Sequence, residues 1–134
     1  MRHAIFAVPL LLAMVSTPAV SENWRQMGTI GDSVGYIDMD SIKRSGDKVR
    51  FWRDVRSPEP QTAPTGHRFD SNAVLIEVNC RAKTFRYLRQ RAKLGDRVIY
   101  DAKDANDSLQ AIRPGSVIDT ELRAVCFNDW PSDE

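Results

Sequence analysis

The sequence predicts an α+β domain: an antiparallel sheet of about six strands followed by one C-terminal helix, pinned to the sheet by a disulfide. Three observations carry this expectation. Several short segments alternate in polarity with a period of two, clearest where Val49, Phe51, Arg53 and Val55 interleave with Arg50, Trp52, Asp54 and Arg56. After Pro114 and Gly115 the apolar spacing lengthens to that of a helix. The only two cysteines, Cys80 and Cys126, fall one in each pattern.

The chain opens with Met1, Arg2 and His3, an apolar run from Ala4 to Val15, and small residues at Ala19 and Ser21. This is the plan of a cleaved secretory signal peptide, residues 1–21, with cleavage after Ala19 as the near alternative. The run is shorter than the roughly 20 apolar residues that span a bilayer, and no longer one follows, so a membrane-spanning protein is not expected. No cysteine lies in or just after it, so lipid attachment there is not expected either. Taking 21 residues from 134 leaves 113, and losing Arg2 from 19 basic residues leaves 18 against 18 acidic. A balanced chain has no global field to draw it onto nucleic acid, and none is expected as a partner. One domain over residues 22–134 fits this length.

The six expected strands run from Asn23 to Ile30, Val34 to Asp38, Val49 to Arg56, Ala73 to Asn79, Thr84 to Ala92 and Arg97 to Tyr100. Turn-forming clusters separate them at Gly31, Asp32 and Ser33 and at Ser45, Gly46 and Asp47. Ser57 to His67 holds Pro58, Pro60, Pro64 and Gly66, and is expected to be a mobile loop that no strand crosses. In the last segment Ser116 is placed to cap a helix over about Val117 to Phe127, with Ile118, Leu122, Val125 and Cys126 on one stripe. In an oxidising compartment Cys80 and Cys126 are expected to pair, tying helix to sheet. A redox or zinc role fits poorly, because the cysteines lie far apart and His67 is the only histidine after the leader.

Trp24, Tyr36, Ile37, Asp38, Ser41, Ile42, Val49, Trp52, Gln61, Cys80, Arg86, the Pro114-Gly115-Ser116 triplet and Cys126 occur in an order and spacing similar to the surface-adhesin protein E family of Gram-negative bacteria. The resemblance spans essentially the whole chain after the leader. It implies a curved antiparallel sheet with a disulfide-tethered C-terminal helix, adhesin-like binding of host matrix or serum proteins, and dimerisation. Leu109 and Ile112 depart from the pattern, standing where relatives often carry tryptophan.

A candidate binding patch comes from the odd positions Arg81, Lys83, Phe85, Tyr87, Arg89, Arg91 and Lys93, which share one face if the strand is regular. Five cations around two aromatics suit a sulfated glycan, an acidic protein or a single nucleic-acid strand. The alternative packs Phe85 and Tyr87 under the helix and leaves the basic side chains reaching out to solvent. Trp24 and Trp52 read as packing residues, while Trp130, beyond the helix, reads as a partner anchor or a fraying end. His67 has no nucleophile motif around it, so no catalytic residue is assigned. Asp38 with Asp40, and Asp101 with Asp104 and Asp107, read as solvated turns rather than calcium ligands, and neither metal nor cofactor is expected. The function expected is an exported, non-catalytic binding protein for a protein or acidic-glycan partner. A periplasmic enzyme or enzyme inhibitor, or a self-associating homodimer, is the alternative.

Overall fold

The structure is a computed structural model that describes residues 22–104 and 106–132 and, before them, Ala4 alone. The leader reading therefore lies outside the described residues. Eight strands, β1 (Trp24–Ile30), β2 (Ser33–Asp38), β3 (Lys43–Ser45), β4 (Lys48–Thr62), β5 (Arg68–Asn79), β6 (Thr84–Leu94), β7 (Arg97–Lys103) and β8 (Gln110–Ala111), precede α1 (Val117–Phe127). All pairings are antiparallel. The sheet runs β1-β2-β4-β5-β6-β7, with β3 added beside β4 and β8 beside β6.

Among the described residues the count is eight rather than six. The six expected strands form the continuous path, and the two extra ones are three and two residues long, too short to show a period. Tight turns close the meander, with Gly31 at φ 59° and Gly95 at φ 58° opening two of them. A positive φ at the first central position matches the right-handed twist of the paired strands, and glycine adopts it without a Cβ clash.

The proline-rich segment is the second correction. β4 continues through Pro58 and Pro60 to Thr62, and only Ala63 to His67 remains as the connection to β5. Arg56 lies opposite Ser71 and Gln61 opposite Phe69, so the four residues from Ser57 to Pro60 face the single residue Asp70. Proline cannot donate to a ladder, but both of these sit where the ladder is interrupted, and the strand passes through as a wide bulge.

The helix covers one face of the sheet. Ile37 of β2, Val49 and Phe51 of β4, Val74, Ile76 and Val78 of β5 and Phe85 of β6 meet Ile118 and Leu122 of α1 in one core. The Ser116 hydroxyl accepts from the Asp119 N–H at 3.3 Å, and Asn128 ends the helix in the left-handed conformation with its N–H on the Arg123 carbonyl. The Asp119 carboxylate also accepts from the Gly115 N–H at 2.9 Å and from Arg123 at 2.8 Å, which holds the Pro114-Gly115-Ser116 entry in place. Trp130 does not hang free as a partner anchor: it packs against the core, and the Arg25 guanidinium sits 4.8 Å from its ring centre.

Cys80, just past the end of β5, is bonded to Cys126 in the last turn of α1, with 5.8 Å between Cα atoms. Both are nearly buried. The bond closes a loop across a sequence separation of 46, worth about 4 kcal/mol in the chain-entropy treatment. Cys80→Ser with Cys126→Ser is expected to lower unfolding free energy by roughly 2–4 kcal/mol. Urea titration of both proteins measures it, and an unchanged midpoint would contradict the tether's role.

Candidate functional site

One sheet face lies under α1 and the other carries no helix. The candidate patch from Arg81 to Lys93 does not share a face, because β6 is not regular. Tyr87 lies opposite Ile76 whereas Arg89 lies opposite Leu75, so Leu88 is an extra residue and every side chain after it changes sides. Phe85 and Tyr87 point under the helix, their rings 5.4 Å apart. Arg89, Arg91 and Lys93 belong to the open face, opposite Leu75, Ala73 and Ser71. Arg81 and Lys83 are exposed in the turn before β6 and join neither group. The parity of the sequence holds the clue to this switch: Phe85 and Ala92 are both buried, yet seven positions apart they cannot face the same way along a regular strand.

Across the open face the register builds rows of charge and aromatic surface. Arg50 of β4 and Arg86 of β6 flank Glu77 of β5 at 2.7 and 2.9 Å. Burial pushes the Glu77 carboxyl upward, but hydrogen bonds and charge from the two guanidinium groups outweigh it and hold the acid below its usual range. Arg89 and Arg91 converge on Asp101 of β7 at 2.7 and 3.3 Å. That carboxyl is lowered, chiefly by the hydrogen bond from Arg89.

Toward β1 the same face forms a groove of about 580 Å³, with Trp24, Trp52, Asp54, Arg56, Arg91 and Lys93 among its walls. The Arg56 guanidinium lies 5.3 Å from the Trp24 ring centre and 4.3 Å from that of Tyr36, while Arg91 lies 5.2 Å from that of Trp52. Arg56 Nε donates to Asp54 Oδ2 at 3.0 Å, and Asp54 Oδ1 is buried with no partner. The sequence assigned Trp24 and Trp52 to packing and gave Tyr36, Asp54 and Arg56 no role in a site. What places them together is strand order, which joins residues some thirty positions apart.

Among the described residues, His67 and the acidic groups singled out in the sequence do not come together. His67 is exposed in the β4–β5 turn, with its ring bonded only to Thr65 Oγ1 at 3.0 Å. Asp38 caps the short turn after β2, and Asp104 accepts from the Asn106 N–H. Among the described residues no three His, Cys, Asp or Glu side chains gather as metal ligands.

Residues 24–127 match the family described as Surface-adhesin protein E. The chain belongs to that family. Among solved structures, protein E of Haemophilus influenzae in its second crystal form is similar at TM-score 0.60 and 14% identity, over 82% of this chain and 91% of that one. A further structure of protein E from the same organism gives TM-score 0.59 at 16% identity, over 82% and 88%. At such identity the likeness establishes the shared fold. No curated protein matches the sequence. Among the described residues of this adhesin E-family chain, no helix is long and apolar enough to cross a membrane.

A buried charged pair joins the sheet to the helix. Arg53 of β4 donates to Glu121 of α1 at 2.8 Å and to the Tyr87 hydroxyl at 3.3 Å. Glu121 is 1% exposed, and its Oε2 has no partner. Burial raises the Glu121 carboxyl above its usual range, and the charge of Arg53 together with its hydrogen bond offsets that only in part. An acid raised by folding adds stability below its unfolded value, near 4.3, and loses it as pH climbs through the folded value. Arg53→Met is expected to cost roughly 3–5 kcal/mol at pH 8 by leaving Glu121 buried and unpaired, and less near pH 4. Urea midpoints across that range check both size and sign, and a loss equal at the two ends would contradict the assignment.

Proposed function

We propose that this protein is an exported, non-catalytic binding protein that takes a macromolecular partner, protein or glycan, on the helix-free face of its sheet. The observation that supports this reading is the groove between β1 and β6. It gathers two tryptophans and stacked arginines on a rigid sheet, whereas the helix side is committed to the core. Aromatic and arginine side chains held in place by neighbours are the residue types that dominate recognition surfaces. Adhesin-family membership agrees with a partner outside the cytoplasm, and the continuous apolar run from Ala4 to Val15 after Arg2 and His3 has the pattern of an export signal.

Processing at the leader predicts an exported form that starts at Glu22. Intact mass and N-terminal sequencing of secreted or periplasmic material check this, and an uncleaved chain in that fraction would refute it. For the surface itself, immobilised processed protein is expected to bind envelope or host-matrix fractions saturably. Arg56→Ala with Arg91→Ala is expected to weaken that binding about tenfold, while Arg113→Ala leaves it unchanged. Equal loss in both variants, or no saturable signal with wild type, would count against the open face.

A further inference from the structure

The groove on the open face has a chemistry that selects among macromolecules. Five carboxylates line it against three cations, so its own charge is negative. A sulfated or otherwise polyanionic chain meets repulsion there, and the expectation of an acidic glycan gripped by five cations does not carry over to the surface that folding builds. A basic peptide is also poorly matched, because Arg56 and Arg91 already stand on Trp24 and Trp52 and repel another cation there, whereas an uncharged ligand meets no such repulsion.

What remains attractive is an uncharged, hydroxyl-rich ligand. Trp24 lies opposite Asp38, and continuing the β2–β4 register one residue past Ile37 and Arg53 sets Asp38 beside Trp52, so the two tryptophans occupy one backbone row across three strands. Two strand spacings place their backbone positions about 9.5 Å apart, within the reach of one short oligosaccharide. Both are half-buried and stand on rigid backbone, and their negative ring faces suit the C–H faces of sugars. Asp54 supplies a second, independent sign. The residue is 7% exposed, and the carboxylate oxygen not bonded to Arg56 lacks any donor. The Arg56 side chain beside it is 42% exposed, and a sugar hydroxyl that enters with a small shift of that side chain donates to this oxygen.

The geometry points to a neutral oligosaccharide as the occupant of this groove, stacked on Trp24 and Trp52 and bonded through its hydroxyls to Asp54, Arg56 and Arg91. This rests on the proposed binding role of the open face and names the chemistry of its ligand. Envelope and host surfaces both offer such chains, so the titration uses two neutral probes. A β-1,4-linked N-acetylglucosamine hexasaccharide stands for the first and a poly-N-acetyllactosamine hexasaccharide for the second. A heparin hexasaccharide and a hexa-arginine peptide serve as charged comparisons.

Intrinsic tryptophan fluorescence of the processed chain is expected to change saturably with at least one neutral probe, and the tighter one identifies the source. Trp24→Ala, on the edge strand, is expected to weaken binding about tenfold. Trp52→Phe keeps a ring inside the sheet and is expected to weaken it less, and Phe127→Ala on the helix side leaves it unchanged. Melting curves of each variant confirm that it is folded. Binding of neither neutral probe, preference for heparin or hexa-arginine, or full affinity in folded Trp24→Ala overturns the proposal. Fraction capture that still depends on Arg56 and Arg91 would then leave the open face standing as a partner surface with a different ligand.

Discussion

An eleven-residue helix has to be held against a sheet far wider than itself, and the Cys80–Cys126 bond is the constraint on which the rest of the molecule depends. The hydrophobic contact from Ile118 and Leu122 alone is small, since only one stripe of a short helix reaches the core. The disulfide fixes the C-terminal end of α1 beside the end of β5, and the Arg53–Glu121 pair fixes its middle against β4. The two fastenings differ in kind. The covalent one acts mainly by restricting the unfolded chain, whereas a buried ion pair recovers little net stability and instead fixes one arrangement through the cost of breaking it.

Fixing the helix on one side decides what the other side is available for. Open-face residues answer to solvent rather than to a core, so they accumulate arginines, carboxylates and tryptophans. Pairing them in threes, as in Arg50–Glu77–Arg86 and Arg89–Asp101–Arg91, holds long side chains in defined positions without burying them. The bulge at Leu88 contributes directly. Were Leu88 an ordinary ladder position, Arg89 and Arg91 would share the helix side with Phe85 and Tyr87.

Much of this architecture was legible in the residues. The helix and its bounds followed from Ser116 as a cap and the stripe from Ile118 to Cys126, signals confined to a dozen neighbouring positions. The cysteine pairing followed from the compartment implied by the leader. The site was harder to read, because each of its members is ordinary alone. Arg56 acquires meaning only when strand order sets it beside Trp24 and Tyr36, and Glu121 reads as a solvated helix residue until the sheet supplies Arg53. The bulges in β4 and β6 shifted the remaining assignments. One hid behind prolines that normally end a strand, and the other behind a change of parity between Tyr87 and Ala92.

The passage of β4 through Pro58 and Pro60 also bears on how the molecule behaves in a crowd. β2 pairs with β4 only as far as Arg56, so the outer edge of β4 beyond that point is bare. Two missing N–H groups and a wide bulge leave that rim unable to zip onto a stray chain. A rim that refuses such recruitment removes one route by which strand edges aggregate.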